Sequence, residues 1–198
     1  MAGALAPFDR TTALVVVDMQ NDFADPAGSL FVQEGDTLVE PINALMRAAR
    51  DAGSTVVLTQ DWHPERTPHF EPDGPWPVHC VGGTWGADLV DGLDRHADAV
   101  VRKGTGGEDG YSAFTMRDTE TGADLPTGLA GLLRERGIER VVVVGLAADV
   151  CVAATAKDAA AAGFATDVVW SATRPVYPDA VPQVRRELAE AGVAVVGE

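Results

Sequence analysis

Basic residues are scarce in this chain, which has 15 lysines and arginines against 30 aspartates and glutamates and a formal net charge of −15. Nucleic-acid phosphates and anionic lipid headgroups attract cationic surfaces, so this balance argues against both as partners. Hydrophobic runs are short, and none approaches the roughly 20 apolar residues that cross a bilayer. The N-terminal segment shows neither the basic region nor the apolar stretch of a signal peptide, so we expect a cytoplasmic protein without a membrane partner.

Cysteine is almost absent, since Cys80 and Cys151 are the only two in the sequence. Disulfides are rare in the cytoplasm, so we expect both to be free thiols, with Cys80 a packing residue. The chain has no internal repeat, no low-complexity segment and no inter-domain linker. A length of 198 residues is enough to bury a sizeable core, and we expect a single domain over residues 1–198.

Short apolar runs alternate with helix-like segments along the chain. Most runs are continuous rather than alternating, which is typical of parallel strands covered on both faces, and the helix-like segments stop at or near glycines. This order predicts a doubly wound α/β domain with a mostly parallel six-stranded sheet and helices on both faces. The predicted strands cover 13–17, 55–59, 99–102, 141–144, 166–170 and 193–196, and the predicted helices cover 38–52, 129–136, 152–162 and 181–191.

Three of the four histidines fall in one proline-rich loop that follows the second predicted strand. Side chains alternate along a strand, so Asp61 and His63 at its end point the same way, and the stiff loop can return His69 and His79 towards them. Carboxylate and imidazole ligands together suit zinc, iron or manganese. A single histidine is usually an ordinary solvated or hydrogen-bonded residue, as we expect for the isolated His96, but this clustering predicts a metal site.

Reactive side chains follow other predicted strands at the same edge of the sheet, where open α/β sheets bind ligands. Asp18 follows the first strand, Lys103 the third, and Cys151 the fourth at the start of a helix. Each alone has an ordinary explanation as a cap, a solvated cation or a small buried thiol. Together they have the parts for nucleophilic catalysis, because an ammonium favours a thiolate, a carboxylate moves protons, and N–H groups of the 145–151 turn can stabilise an oxyanion.

A series of motifs resembles the isochorismatase-like cysteine hydrolase family, and within it the nicotinamidase/pyrazinamidase branch. The pattern of Asp61, His63 and the two later histidines is the specific part, because metal-free members of the wider family lack it. The motifs occur in family order over most of the chain: VVVDMQNDF (15–23), GSL (28–30), TQDWHP (59–64), WPVHCVGGTWGA (76–87), KGT (103–105), YSAF (111–114) and VGLAADVCV (144–152).

The resemblance implies a role for each site residue. The catalytic triad would be Asp18, Lys103 and Cys151. A non-proline cis peptide at 146–147 would direct the N–H groups of Ala147 and Cys151 at the substrate oxygen. One divalent ion, zinc first with iron or manganese as alternatives, would be bound by Asp61, His63 and His79, with His69 a fourth ligand or a near neighbour. The aromatic rings that would hold a pyridine ring belong to Phe23, Trp76 and Tyr111.

The activity implied by the resemblance is metal-dependent hydrolysis of nicotinamide to nicotinate and ammonia, and of pyrazinamide, through a thioester on the cysteine. Another amidohydrolase of this family, acting on a carbamoyl or ureido substrate, would not need the histidines. A non-catalytic module that binds a small molecule at the 145–148 turn is a further alternative, although the turn has no spaced glycines of a nucleotide-binding loop. The metal, the preferred amide and the oligomeric state stay open, since the family includes monomers and homo-oligomers.

Overall fold

The structure, a computed structural model, describes residues 3–197. Met1 and Ala2, where the N-terminal segment begins, and Glu198, the last position of the predicted domain, lie outside the described residues. The strands of the described chain are β1 (Thr12–Val17), β2 (Thr55–Asp61), β3 (Ala99–Lys103), β4 (Thr115–Arg117), β5 (Asp124–Pro126), β6 (Arg140–Leu146), β7 (Ala165–Arg174) and β8 (Ala194–Val196). Six of them form one sheet in the order β3-β2-β1-β6-β7-β8, with every pairing parallel, and β4 and β5 form an antiparallel hairpin.

Helices cover both faces of this sheet, as predicted. They are α1 (Asn21–Ala24), α2 (Val39–Asp51), α3 (Leu129–Glu135), α4 (Cys151–Ala161) and α5 (Val181–Glu190), with short 3₁₀ turns at Gly35–Leu38, Trp85–Ala87 and Pro178–Ala180. None of the helices within residues 3–197 is both long enough and apolar enough to cross a membrane.

Strand periodicity divides the core into two layers. Leu14 and Val16 of β1 pack with Ile42 and Met46 of α2 on one face, whereas neighbours such as Val15 pack with α3, α4 and α5 on the other. Because strand side chains alternate, a central strand buried on both faces is apolar along most of its length. This explains the continuous apolar runs, and all six residues of β1 are buried.

Each of the six predicted sheet strands and four predicted helices is present, with ends displaced by a few residues. The helix predicted over 152–162 starts at Cys151, which makes this cysteine its first residue. The sequence analysis did not predict α1 or the β4–β5 hairpin. The hairpin lies inside the long segment 103–128, and the other long segment, 61–88, contains only a 3₁₀ turn and isolated bridges.

The strand order changes direction between β1 and β6, which are neighbours in the sheet. The first three strands extend one way from β1, and the last three extend the other way from β6. Such a switch point leaves a crevice at the carboxyl ends of the two adjacent strands. Asp18 follows β1 and Cys151 follows β6, so the fold itself brings these two distant positions to one crevice.

Candidate active site

The predicted acid, base and thiol converge at this crevice. The Lys103 Nζ atom lies 2.7 Å from Oδ2 of Asp18 and 3.6 Å from Sγ of Cys151. All three side chains are buried. The ammonium also donates a hydrogen bond of 3.1 Å to the carbonyl oxygen of Tyr111 and lies 3.7 Å from Oδ1 of Asp61. One buried cation therefore contacts the thiol and two carboxylates.

Neighbouring strands fix the Asp18 carboxylate in place. Asp18 has a positive φ of 46° directly after β1, a conformation that aspartate tolerates better than most residues. The Thr59 hydroxyl of β2 donates to Oδ1 of Asp18 over 2.6 Å and accepts the Asp18 N–H over 3.1 Å. Oδ1 is thus held by Thr59 and Oδ2 by Lys103, so the carboxylate has little freedom to rotate away from the thiol.

Burial and charge shift the protonation of this cluster. Burial raises the pKa of Asp18 although the Lys103 charge opposes it. Burial also raises the pKa of the Cys151 thiol well above its usual value; Lys103 does favour the thiolate, as expected, but burial and the nearby Asp18 and Asp61 outweigh it. Burial alone would lower the pKa of Lys103, yet Asp18, Cys151 and Asp61 hold it well above its usual range. Burial thus favours the neutral thiol of Cys151, while the neighbouring anionic groups favour the ammonium of Lys103.

The turn between β6 and α4 contains the expected cis peptide bond, at Leu146–Ala147. Within this turn the N–H groups of Val150 and Val152 donate to the carbonyl oxygen of Ala147. The N–H groups of Ala147 and Cys151, by contrast, take part in none of the backbone hydrogen bonds of the turns, loops and helix caps within residues 3–197. Both residues line the pocket described below, so these two donors are the candidates for an oxyanion hole.

The carboxylate and the three histidines also come together, and all four residues are buried. Asp61, His63, His69 and His79 each present one ligand atom, and these atoms lie within 4.8 Å of one another. The carboxylate Oδ2 of Asp61 is 3.1 Å from Nε2 of His63 and 3.4 Å from Nε2 of His79. Burial alone would raise the pKa of Asp61, but the Lys103 charge and the two imidazoles hold it well below its usual range.

Backbone pairing explains why the loop brings its histidines together. The N–H of His63 donates to the carbonyl oxygen of Cys80 over 3.0 Å, and the N–H of Gly82 donates to the carbonyl oxygen of His63 over 2.8 Å. This parallel bridge extends β2 beyond Asp61 and pairs it with the chain that follows His79. The predicted Asp61–His63 strand end and the returning loop are thus parts of one hydrogen-bonded unit.

These four residues fit a divalent metal ion. Within the described chain, Oδ1 of Asp61 and both ring nitrogens of His63 are buried without a hydrogen-bond partner; the 3.1 Å approach of His63 to Asp61 does not have the direction of a hydrogen bond. Buried polar atoms without partners are costly unless a water or an ion satisfies them. Three imidazoles and one carboxylate form a donor set that zinc and similar ions accept.

Outer contacts differ among the three imidazoles. The Nδ1 of His79 lies 2.7 Å from the carbonyl oxygen of Pro77, which can only accept, so this nitrogen carries the hydrogen. The Nδ1 of His69 lies 2.6 Å from Oδ1 of Asp109. His63 instead packs against Gly104, where a Cβ atom would come within 2.7 Å of Nδ1.

A pocket joins the two clusters, with a volume of about 380 Å³ that includes space open to solvent. The Nε1–H of Trp76 donates to the Tyr111 hydroxyl over 3.0 Å, and the Phe23 ring lies 5.4 Å from that of His79, centroid to centroid. The lining combines the predicted aromatic, catalytic and metal-site residues with an apolar wall: Phe23, Leu30, Val32, Asp61, His69, Trp76, His79, Tyr111, Leu146, Ala147, Val150, Cys151 and Val176.

Several supporting residues were missed by sequence reasoning. Gln20 fixes Asp61 from both sides, because its amide group donates to the Asp61 carbonyl oxygen and accepts the Asp61 N–H, each over 2.7 Å. Its position two residues after Asp18, within the VVVDMQNDF motif, was an available signal. Asp22 accepts the N–H of Cys80 over 2.7 Å, and no sequence signal pointed to this contact.

The remaining predicted residues behave as expected. Cys80 is a free and fully buried thiol, and burial raises its pKa well above the usual value. His96 is exposed and pairs with Asp94 outside the site.

Comparisons with known proteins agree with this geometry. Residues 12–197 match the family model of the isochorismatase domain. Over 183 residues the chain is 42% identical to a nicotinamidase of Acinetobacter baylyi, covering 83% of this chain and 81% of that protein. Similar solved structures include PnC1 from L. infantum in complex with nicotinate, with a TM-score of 0.88 and 41% identity over 97% of this chain and 96% of that one. A pyrazinamidase of Pyrococcus horikoshii in complex with zinc has a TM-score of 0.83 and 36% identity over 95% and 99% of the two chains.

The family match covers nearly all of the described chain, and the relatives resemble it along most of their own length. The predicted fold and resemblance are therefore confirmed, and the chain belongs to the isochorismatase family, in its nicotinamidase/pyrazinamidase branch.

Proposed function

We propose that this chain is a metal-dependent nicotinamidase that hydrolyses nicotinamide to nicotinate and ammonia, and that it also accepts pyrazinamide. The observation that carries the proposal is that Cys151 and the buried histidine cluster open on one small pocket. Similarity to nicotinamidases and to a structure with bound nicotinate supports the substrate. An enzyme for carbamoyl or ureido substrates would have no use for the histidines.

The thiol acts as the nucleophile in this proposal. Asp18 takes the Cys151 proton as Sγ forms a bond to the amide carbon. The Lys103 ammonium stabilises the negative charge of the Asp18 carboxylate before this transfer and of the Cys151 sulfur during it. The N–H groups of Ala147 and Cys151 hold the carbonyl oxygen as it becomes an oxyanion, and such donors are typically worth ~10²–10³ in rate each. The raised pKa of Asp18 suits this role, because the carboxyl can hold the proton between steps.

Proton transfer completes the cycle. Asp18 returns its proton to the amide nitrogen as the C–N bond breaks, and ammonia leaves while a thioester remains on Cys151. Asp18 then takes a proton from a water molecule that attacks the thioester carbon. Asp18 then gives this proton to Cys151 as the C–S bond breaks. The carboxylic acid leaves and ionises to nicotinate, so the sum is one amide and one water converted to one acid and ammonia.

We propose zinc as the ion, held by Asp61, His63, His79 and His69, because the donor set suits zinc and a similar pyrazinamidase has been solved with it. When bound, the ion would supply a positive charge that can hold the pyridine nitrogen of the substrate. The rings of Phe23, Trp76 and Tyr111 would enclose the pyridine faces, which orients the amide towards Cys151. We keep the cytoplasm as the proposed compartment, since both cysteines are free.

The test measures ammonia release from nicotinamide and pyrazinamide by the wild type and by matched cysteine variants. Cys151→Ala removes the nucleophile and is expected to lower kcat by at least about 10³-fold. Cys80→Ala removes the other buried free thiol, which packs in the core and donates a weak hydrogen bond of 3.9 Å to the Gly86 carbonyl oxygen, and should retain most of the activity. Substantial ammonia release by Cys151→Ala would rule out the thioester route.

A chelator arm tests the metal dependence. Removal of the ion should abolish turnover, and re-addition of zinc should restore it. Turnover that survives complete removal would favour the alternative, an amidohydrolase for carbamoyl or ureido substrates. Tight binding of nicotinamide without ammonia release would favour a non-catalytic module.

A further inference from the structure

The carboxylate of Asp109, in the loop between β3 and β4, lies against the histidine cluster from outside. Its Oδ1 is 2.6 Å from Nδ1 of His69. The same Oδ1 accepts the N–H of Gly110, so this oxygen meets the imidazole as a hydrogen-bond acceptor. The Nδ1 of His69 therefore carries the hydrogen, which leaves Nε2 as the ring nitrogen with a free lone pair.

Asp109 is held in place by backbone pairing. Its N–H donates to the carbonyl oxygen of Arg117 over 2.8 Å, and the N–H of Arg117 donates to the Asp109 carbonyl oxygen over 2.6 Å. The N–H of Gly110 also donates to the same Oδ1 that meets His69, over 2.8 Å. The carboxylate thus approaches the imidazole from a segment fixed against β4, and its side chain is oriented by its own turn.

Among the three imidazoles of the cluster, His69 has the charged outer partner. His79 donates to a neutral carbonyl oxygen, and neither ring nitrogen of His63 has a hydrogen-bond partner within residues 3–197. A carboxylate that accepts the outer N–H of a histidine fixes the ring orientation and makes the inner nitrogen a stronger ligand. The side chain of Asp109 is 40% exposed whereas that of His69 is 2% exposed, so the carboxylate closes the cluster at its solvent side.

We propose that Asp109 is a positioning residue that makes His69 a direct fourth ligand of the divalent ion. The inference rests on the proposed metal site. It also gives the glycine-rich segment after Lys103 a function, since this segment carries the outer partner of a metal-site histidine.

The test is zinc affinity, measured without substrate by competition with a chromophoric chelator on protein stripped of metal. Asp109→Ala should weaken zinc binding about 10- to 100-fold. Asp109→Asn keeps an acceptor oxygen but loses the charge, so its affinity should fall between Ala and wild type. Glu108→Gln is the matched control, because it removes the charge of the neighbouring carboxylate, which accepts the Gly106 N–H over 2.8 Å instead of facing a histidine. The zinc affinity of this variant should equal that of the wild type.

A double-mutant cycle tests whether Asp109 acts through His69. In a His69→Ala background, Asp109→Ala should cause no further loss of zinc affinity. Wild-type affinity in Asp109→Ala, or the same loss with and without His69, would overturn the proposal. Urea unfolding of the metal-free variants shows whether each of them folds. If Asp109→Ala does not fold, the zinc affinity of Asp109→Asn is the test, and an affinity equal to that of the wild type would overturn the proposal. Because no amide is present, a failure of nicotinamide hydrolysis leaves these results unaffected.

Discussion

At the scale of single residues, Lys103 shows how one side chain serves two parts of the site. Its ammonium contacts Asp18, Cys151 and Asp61, all buried. Removing one partner of a buried charged cluster leaves the others uncompensated, which typically costs ~3–5 kcal/mol. Loss of activity in a Lys103 variant would therefore mix catalysis with folding, and this is why the cysteine pair gives the cleaner test.

Gly104, next to Lys103, is expected to control the metal site without being a ligand. A Cβ atom there would lie 2.7 Å from Nδ1 and 2.9 Å from Cε1 of His63. Gly104→Ala should therefore displace the imidazole and weaken zinc binding by at least about 10-fold, the lower end of the loss seen when the surroundings of a ligand are disturbed. The measurement is a chelator-competition titration.

The control for this change is Gly107→Ala in the same loop. Both glycines have positive φ, 80° and 91°, so both substitutions strain the backbone, but a Cβ at Gly107 meets nothing within 4 Å. Gly107→Ala should keep wild-type zinc affinity. Equal effects of the two variants would show that loop strain, and not contact with His63, is responsible.

Residues at strand ends were predictable, and their partners were not. The carboxyl ends of parallel strands lie at one edge of the sheet, so polar residues at the ends of apolar runs are expected to come together there. This applies to Asp18, Asp61, Lys103 and Cys151. Thr59 looked like any β-branched strand residue, although it holds Asp18. Asp109 lies 40 positions from His69, and in a glycine-rich segment nothing distinguishes a ligand-orienting carboxylate from a solvated one.

At the scale of elements, the loop before β3 is anchored to α2 by Asp94. Its carboxylate accepts the N–H and faces the imidazole of His96, and it pairs with Arg50 of α2. The His96 N–H, then the His96 ring and Arg50, lower the pKa of Asp94 to about 2. This contribution is present above the unfolded pKa of about 3.8 and is lost as the pH falls through about 2.

Asp94→Asn should therefore destabilise the chain by about 1 kcal/mol at pH 7, an amount reduced by solvent screening at this partly exposed site. The difference from wild type should shrink as the pH falls from 4 towards 2. Urea unfolding at several pH values measures it, with Asp91→Asn, a change of an exposed carboxylate nearby, as the control. A difference that stays constant down to pH 2 would contradict this assignment.

Elements that bury an apolar face were predictable from the sequence, because burial on both sides of a parallel sheet leaves continuous apolar runs. The missed elements are short and are fixed by contacts elsewhere. Helix α1 has four residues, and its Asn21 N–H donates to the carbonyl oxygen of Asp88. The β4–β5 hairpin has three residues per strand, largely outside the core, and one central apolar residue in each strand is too short a pattern to detect.

At the scale of the whole molecule, the metal site is expected to stabilise the fold. Asp61, His63, His69 and His79 are buried, and only the folded chain brings their ligand atoms together. Zinc at about 100 times its Kd should add about 2.7 kcal/mol to the free energy of unfolding. Thermal unfolding with chelator, and then with excess zinc, should show a lower and a restored Tm.

The control for this measurement is His79→Ala, which removes one ligand. Its Tm should respond much less to chelator than that of the wild type. A wild-type Tm that is the same in chelator and in excess zinc would contradict a structural contribution of the ion.

The order of strands also means that a cut in the β4–β5 turn would divide the site residues between two fragments. The turn between β4 and β5 is exposed over residues 119–123, and β1 and β6 are the only neighbours in the described sheet that come from opposite sides of it. A polypeptide divided there would leave Asp18, Lys103 and the histidines on one fragment and Cys151 with its N–H donors on the other. Neither fragment could release ammonia alone, so the reaction would report when two fused partners bring the fragments side by side.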